Sequence, residues 1–352
     1  MNNILLICPD TPERTLALTP ALSILKRNFP RAQISVISAY PWLFKNNSAV
    51  FKTRPLIGAG KLYNLLKEEK YDLLILTKPI FKYAFTAFMA GIKRRIMPYS
   101  PLSALFGGTS VKTDGKNKAQ DINIALLKPL FIYFFPAKSQ LFIDKAEDNA
   151  ALDLLKEAGI SPKEKFVCMF PGASAPHLNC GKEFYAKLND KTALKHKELK
   201  VLLVAADKQS SHTVNEIFWL CIKKPAVIRT APDIAVLSAI IARSEGIIGG
   251  CGLPAHLAAA LGKKAIVFAP LKAEEFLDMP APVSALIKPK EQQCESSCLG
   301  DCRAFCLKEI SLTQTCEVFD TIFAQKSKKN KGIFNEERTV GLFNNKTRRK
   351  KS

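Results

Sequence analysis

Three short segments carry side chains whose types and spacing suit proton transfer beside a bound phosphate. The first is Pro9-Asp10-Thr11-Pro12-Glu13-Arg14, between an apolar run and a helical pattern. A carboxylate at Glu13 or Asp10 could take a proton at the mouth of a cleft. Amides at a helix start, with Thr11 and Arg14 beside them, could hold an anion. The same residues also make an ordinary helix start, with Thr11 as cap and Pro12 and Glu13 in the first turn. The second segment, Pro171-Gly172-Ala173-Ser174-Ala175-Pro176-His177, is a small-residue loop with a hydroxyl. Such backbone approaches a phosphate closely, although Pro-Gly also marks plain turns. The third, Gly249-Gly250-Cys251-Gly252-Leu253-Pro254-Ala255-His256, is rich in glycine and opens a helical pattern that ends at Gly262. There Cys251, Gly252, Pro254 and Ala255 would shape a loop against a phosphate, helix-end amides would face it, and His256 would either hydrogen-bond a phosphate or a ribose or serve as an ordinary structural first-turn residue.

The elements that must position these loops alternate. Residues 4–8, 33–38 and 72–77 are apolar runs, separated or followed by helical patterns at 15–28, 61–69 and 80–90. A helix is expected over 120–135, with a crossing segment at 136–144. The alternation then restarts, with strands expected at 166–170, 201–205, 246–249 and 265–268, and helices at 182–189, 212–221, 233–242, 255–261 and 312–324. Continuous apolar runs are the mark of strands covered on both faces, and βαβ alternation predicts doubly wound parallel sheets. The chain is therefore read as α/β with two Rossmann-like domains, 1–144 and 145–325, facing a cleft at the carboxyl ends of their strands, plus a tail at 326–352. All three loops leave from such strand ends.

Composition narrows the class. Of 352 residues, 47% are hydrophobic and 24% charged, as in a globular protein. The longest charge-free aromatic run, PLFIYFFPA at 129–137, is too short for the roughly 20 residues of a spanning helix. The start, MNNILLICPD, reads as a first strand rather than a leader, so a cytoplasmic protein is expected. The net charge of +21 divides as +11 over 1–150, +2 over 151–325 and +8 over the tail. That distribution suits an anionic partner, although a basic surface that merely aids solubility fits as well. The tail, polar and basic, is expected to be disordered. Nucleic acid is a poor fit as the partner, because the folded part has no recognition motif.

Ten cysteines are present. Cys8 and Cys168 sit in strand-like runs and read as small core residues. Cys294, Cys298, Cys302 and Cys306 recur every four residues in CESSCLGDCRAFC. Loop-packed thiols, a structural zinc or iron–sulfur site, and disulfides all remain open, the last disfavoured in a reducing compartment.

Several of these stretches resemble glycosyltransferase family 9, the ADP-heptose:lipopolysaccharide heptosyltransferases. They are ILLICPDTPERTLALTPALSILKRNFPRAQISVIS at 4–38, AGIKRRIMPYS at 90–100, PGAS at 171–174 and, most specific, PAHLAAALGKKAIVFAPL at 254–271. The likeness covers about residues 1–324. It implies a GT-B fold and single-step, inverting transfer of a sugar from a nucleotide-diphosphate donor such as ADP-heptose. It also implies an anionic, lipid-linked lipopolysaccharide-type acceptor at the inner membrane surface, and no cofactor. The aromatics Phe81, Tyr83, Phe85, Phe88 and Phe131 to Phe135 would either touch lipid or fill the core.

The chain departs from the family pattern at cleft positions. Counted back from Pro20-Ala21-Leu22, the family's first-loop Gly and its catalytic Asp fall on Glu13 and Arg14. The donor-loop Asp falls on Cys251, a Lys expected after PGAS falls near Leu178 and Asn179, and Phe-Gly-Pro-Thr becomes Phe268-Ala269-Pro270-Leu271. Two readings follow: a transferase in which Glu13 or Asp10 replaces the base, or a descendant that binds a glycan, nucleotide or protein partner without transfer.

Overall fold

The structure is a computed structural model that describes residues 1–101, 108–112, 118–172, 179–270, 284–289 and 306–323. Strand β1 (Asn3–Cys8) is buried from Ile4 onward and has a parallel neighbour on each side. A strand covered on both faces has no polar side to show, hence the unbroken run NILLIC. With β2 (Gln33–Ser38), β3 (Lys52–Pro55), β4 (Leu73–Leu76), β5 (Arg94–Pro98) and β6 (Thr109–Val111) it forms a sheet of order β3-β2-β1-β4-β5-β6. The second sheet contains β7 (Lys165–Phe170), β8 (Leu199–Val204), β9 (Ala226–Ile228), β10 (Gly246–Gly250), β11 (Lys264–Phe268) and β12 (Ala285–Ile287), in order β12-β11-β10-β7-β8-β9.

The two sheets repeat one topology, and every pairing is parallel. In each, the strand order reverses between the first and fourth strands, so a crevice opens at the carboxyl ends of β1 and β4 and of β7 and β10. The loops after β1, β7 and β10 leave from these crevices. One hydrophobic core runs from Ile4 and Leu22 through Leu16 to Ala255 and Ala258, and on to Phe166 and Cys168, so the sheets share a continuous interior. Two further clusters cover their outer faces.

The structure corrects two helix expectations. The amphipathic stretch at 15–28 is two helices, α1 (Pro12–Leu16) and α2 (Thr19–Asn28), broken at Ala17 and Leu18. Pro20 is the cause: it has no N–H to donate to Leu16, and its ring would crowd that carbonyl. The Thr19 hydroxyl donates to the Leu16 oxygen instead, at 2.8 Å. The helix expected over 120–135 is only Ala119–Ala125, followed by a 3-10 turn at Lys128–Leu130 that contains Pro129. Phe131 then adopts a left-handed backbone (φ 53°), and the crossing to the second sheet starts there. Helix Lys145–Glu157 follows it, opened by a capping box in which Asp144 accepts from the Ala146 amide and Glu147 from the Asp144 amide.

Helices α3 (Ala59–Glu69) and α4 (Phe81–Met89) pack side by side on the first sheet. Among the described residues no helix is long and apolar enough to cross a membrane. The tail at 326–352 lies outside them.

Candidate active site

Helix α1 carries Glu13 into the interface between the sheets. Pro12 presets the first helical dihedral, and Thr11 stands at the cap position with extended backbone. The Thr11 side chain makes no cap hydrogen bond, and only its carbonyl joins the helix, accepting from Thr15 at 2.8 Å. Because the chain breaks at Pro20, α1 is free of α2's direction and lies against helix Leu253–Ala260 of the second sheet. The result is a cavity of about 200 Å³ between the two halves, lined by Glu13 from one and by His256 from the other. Lys118, Gln120 and Asp121, at the start of helix Ala119–Ala125, and Ser139 of the crossing segment complete the polar part of the lining.

Asp10 is placed differently. It is buried, and its Oδ2 accepts the Thr77 hydroxyl at 2.8 Å. Its Oδ1 is 2.6 Å from the Lys78 Nζ and 3.9 Å from an Arg14 nitrogen. Asp10 thus clamps the loop after β1 to the loop after β4 across the crevice. Burial, and then the Asp10 charge, push the Cys8 thiol up to about 11, so Cys8 stays protonated at neutral pH. Asp10 is not among the residues lining the cavity. Its carboxylate serves Lys78 and Thr77 rather than facing an open site.

The glycine-rich loop divides into a structural half and an open half. A Cβ on Gly249 would sit 2.5 Å from the Phe170 carbonyl oxygen on β7, so only glycine allows this strand approach. Gly252 has φ −161°, an extended backbone any residue adopts, and a Cβ there would meet nothing closer than 3.9 Å. The Cys251 amide donates to the Phe268 carbonyl at 3.1 Å. Pro254 and Ala255 are buried at the helix start, and Pro254 has no N–H. The amides of Ala255 and His256 donate to the Gly252 carbonyl at 3.0 and 3.4 Å. The helix end therefore offers an anion fewer amides than its sequence suggests, chiefly those of Gly252 and Leu253.

Gly172 also has a packing reason: a Cβ would meet the Ser210 Cβ, at the first turn of helix Ser210–Leu220, at 2.5 Å. Asn179, near the place of the family's Lys, accepts from the Gly181 amide at 2.9 Å and so closes a turn. Ser174, Cys294, Cys298 and Cys302 lie outside the described residues. Cys306 is buried close to Cys180, whose thiol is pushed up to about 12 by burial, with Cys306 adding to the shift. Among the described residues no three His, Cys, Asp or Glu side chains are grouped to hold a metal.

The family model described as Glycosyltransferase family 9 (heptosyltransferase) matches residues 59–296. The chain belongs to glycosyltransferase family 9. Solved structures agree on the GT-B type fold of two Rossmann-like parallel-sheet domains. A family 9 glycosyl transferase from Veillonella parvula aligns over 92% of this chain and 98% of its own, with TM-score 0.76 and 15% identity. ADP-heptose lps heptosyltransferase II of E. coli aligns over 92% and 99%, with TM-score 0.74 and 18% identity. The E. coli heptosyltransferase WaaC with ADP aligns over 91% and 99%, with TM-score 0.67 and 12% identity. No curated protein sequence matches the chain.

In this family 9 protein the cavity draws on residues that no motif announces. Lys118, Gln120 and Asp121 sit in an unremarkable polar start to a short helix. Packing of that helix on α2 sets them near Glu13 within the first half, and the docking of the two halves adds His256.

Proposed function

We propose that the protein is an inverting glycosyltransferase. It moves a sugar, heptose in the first instance, from a nucleotide-diphosphate donor such as ADP-heptose to an anionic, lipid-linked glycan acceptor of lipopolysaccharide type. The supporting observation is that Glu13 and His256, from different sheets, line one interdomain cavity. In this reading residues 1–144 hold the acceptor and 145–325 the donor, at the cytoplasmic face of the inner membrane.

The Glu13 carboxylate takes the proton of the acceptor hydroxyl. The acceptor oxygen then bonds to the anomeric carbon from the face opposite the leaving group, and the bond to the diphosphate breaks with its electron pair. Charge on the departing diphosphate is met by Lys118 and by the amides of Gly252 and Leu253, while His256 hydrogen-bonds the nucleotide. The Lys118 ammonium supplies a cation that the PGAS loop lacks.

A second reading, binding without transfer, is favoured by Arg14 and Cys251 standing where the family carries acidic residues. The second reading is met by a glycan, a nucleotide or a protein partner, whereas the first requires a nucleotide-sugar site. Thermal melting with ADP and with ADP-heptose tests it. A ligand at one hundred times its dissociation constant stabilises by about 2.7 kcal/mol, so the midpoint rises with ligand concentration. A midpoint unmoved by any nucleotide or nucleotide sugar would overturn the donor site.

A further inference from the structure

The second sheet carries an exposed apolar patch at the end away from the cleft. Trp219, Leu220 and Ile222, at and just beyond the end of helix Ser210–Leu220, are 68, 47 and 85% exposed, and Leu194, on helix Lys182–Lys195, is 62% exposed. The patch is built rigidly. The amides of Ile222 and Lys223 donate to the Asp190 carboxylate at 3.0 and 2.9 Å, and the buried Asn189 side chain donates to the Lys223 carbonyl at 2.7 Å. Leu194 follows Asp190 by one turn on the same helix face. The Lys224 ammonium donates to the Phe218 and Trp219 carbonyls and lies 5.3 Å from the Trp219 ring. Apolar side chains held this firmly in water mark a surface that is covered in use.

Charge and chain path indicate the occupant. Residues 217–232 contain Lys223, Lys224 and Arg229 and no Asp or Glu. The nearby carboxylates are engaged, Asp190 by those two amides and Glu216 by Lys182. An apolar segment with acidic side chains fits such a surface. Residues 332–343 of this chain, GIFNEERTVGLF, are that kind of segment: Ile333, Phe334, Val340, Leu342 and Phe343 accompany Glu336 and Glu337, the tail's only acidic residues. The path leads there too. Lys182 meets Glu216 and Asp190 meets Ile222, so helices Lys182–Lys195 and Ser210–Leu220 run parallel and end together. Helix Leu312–Phe323 packs on the first of them, and Asp320, in its last turn, binds Lys195 and His196 at that helix's end. The chain therefore leaves Phe323 at the end of the sheet that carries the patch. Ten residues further on, an extended chain reaches up to about 35 Å, against an axis spacing of about 8–10 Å between packed helices.

We infer that residues 332–343 dock on Leu194, Trp219, Leu220 and Ile222 of the same chain. Their apolar side chains cover the patch, and Glu336 and Glu337 face Lys223 and Lys224. A segment with polar, basic flanks orders where it meets such a surface. The carboxyl ends of the helices lie opposite the carboxyl ends of the strands, so the docked segment leaves the crevice open. The docking stands independently of whether sugar is transferred.

Trp42 and Trp219 are the chain's two tryptophans, so full-length Trp42→Phe protein reports Trp219 alone. Its emission is expected to be blue-shifted and resistant to acrylamide at every protein concentration. In the Phe334→Asp/Phe343→Asp variant of that protein the quenching constant rises roughly twofold or more as the indole returns to water, with the circular dichroism retained. Lys223→Glu opens the patch in the same way, and Glu336→Lys/Glu337→Lys added to it closes the patch again. As a second measurement, in the chain with both tryptophans, trypsin cleaves after Arg338 more slowly in the parent than in the Ile222→Asp variant. Equal quenching with and without Phe334→Asp/Phe343→Asp would overturn the inference and leave the patch to another protein or a membrane. Quenching that rises on dilution overturns it in favour of a second copy's segment. Equal cleavage after Arg338 in both proteins overturns it as well, as does a charge reversal that restores nothing.

Discussion

The Glu13→Gln protein is expected to turn over roughly 10²–10⁴-fold more slowly than the parent, the usual loss when a general base is removed. The substitution keeps the side chain's shape and length and removes the carboxylate charge. Glu13 sits in the first turn of α1, where a glutamine fits as well. Donor binding depends on His256, the amides of Gly252 and Leu253, and Lys118 rather than on Glu13, so the nucleotide-induced rise in melting midpoint should persist. A fall in kcat with the nucleotide response intact is the signature of a group used on the acceptor in the transition state. Asp10→Asn makes the contrast. Its partners are Thr77 and Lys78, so it disturbs the clamp between the loops after β1 and β4 and shows in stability first. Unchanged turnover in Glu13→Gln would remove Glu13 from the chemistry and leave Asp121, on the same cavity wall, as the carboxylate to test.

The second large effect is structural and falls on the glycine-rich loop. Gly249→Ala places a methyl 2.5 Å from the Phe170 oxygen and 3.0 Å from the Phe170 Cβ, so β7 and β10 must part at the crevice. Overpacking of this kind costs about 1–3 kcal/mol, sometimes more. For a domain of this size each kcal/mol lowers the melting midpoint by roughly 2–4 °C. Gly252→Ala, three residues on, meets only an ordinary contact with Pro254 at 3.9 Å and should lower the midpoint less than Gly249→Ala does. If the loop holds a phosphate by close backbone approach, Gly252→Ala weakens the nucleotide response at the smaller loss of stability. Thermal melts of the two variants, with and without ADP, separate glycine needed for folding from glycine needed for ligand.

That contrast also shows what was legible in the chain. The central strands declared themselves because burial on both faces demands unbroken apolar runs, as in NILLIC and KFVCMF. The edge strands among the described residues, β3, β6, β9 and β12, match none of the strands expected from the sequence. They are three or four residues long and only half covered, so KTRP and TSV carry no apolar signature. β5 was hidden by its two arginines, of which Arg95 is buried with its nitrogen donating to the Ile92 carbonyl. The break at Pro20 was written in the sequence but lost under a convincing helical period.

The site was legible in part for a related reason. Loops at strand ends can be read from one segment at a time, and Glu13 and His256, which line the cavity, stand in two such loops. Partnerships between distant segments cannot be read in this way. Asp10 and Thr77 are 67 residues apart, and nothing in either segment states that they meet. Lys118 and Asp121 join the candidate cavity through the packing of helix Ala119–Ala125 on α2, a contact that neither segment states by itself.

The central claim, transfer rather than binding, is met most directly by following nucleotide release. The protein is incubated with ADP-heptose and a lipopolysaccharide-core acceptor, and ADP and glycosylated product are quantified together. The account predicts ADP and product in equal amounts, only when both substrates are present, with the anomeric configuration inverted. Nucleotide-sugar binding without product, for this and other donors and acceptors of the class, would contradict it and leave a family 9 fold that binds without transfer.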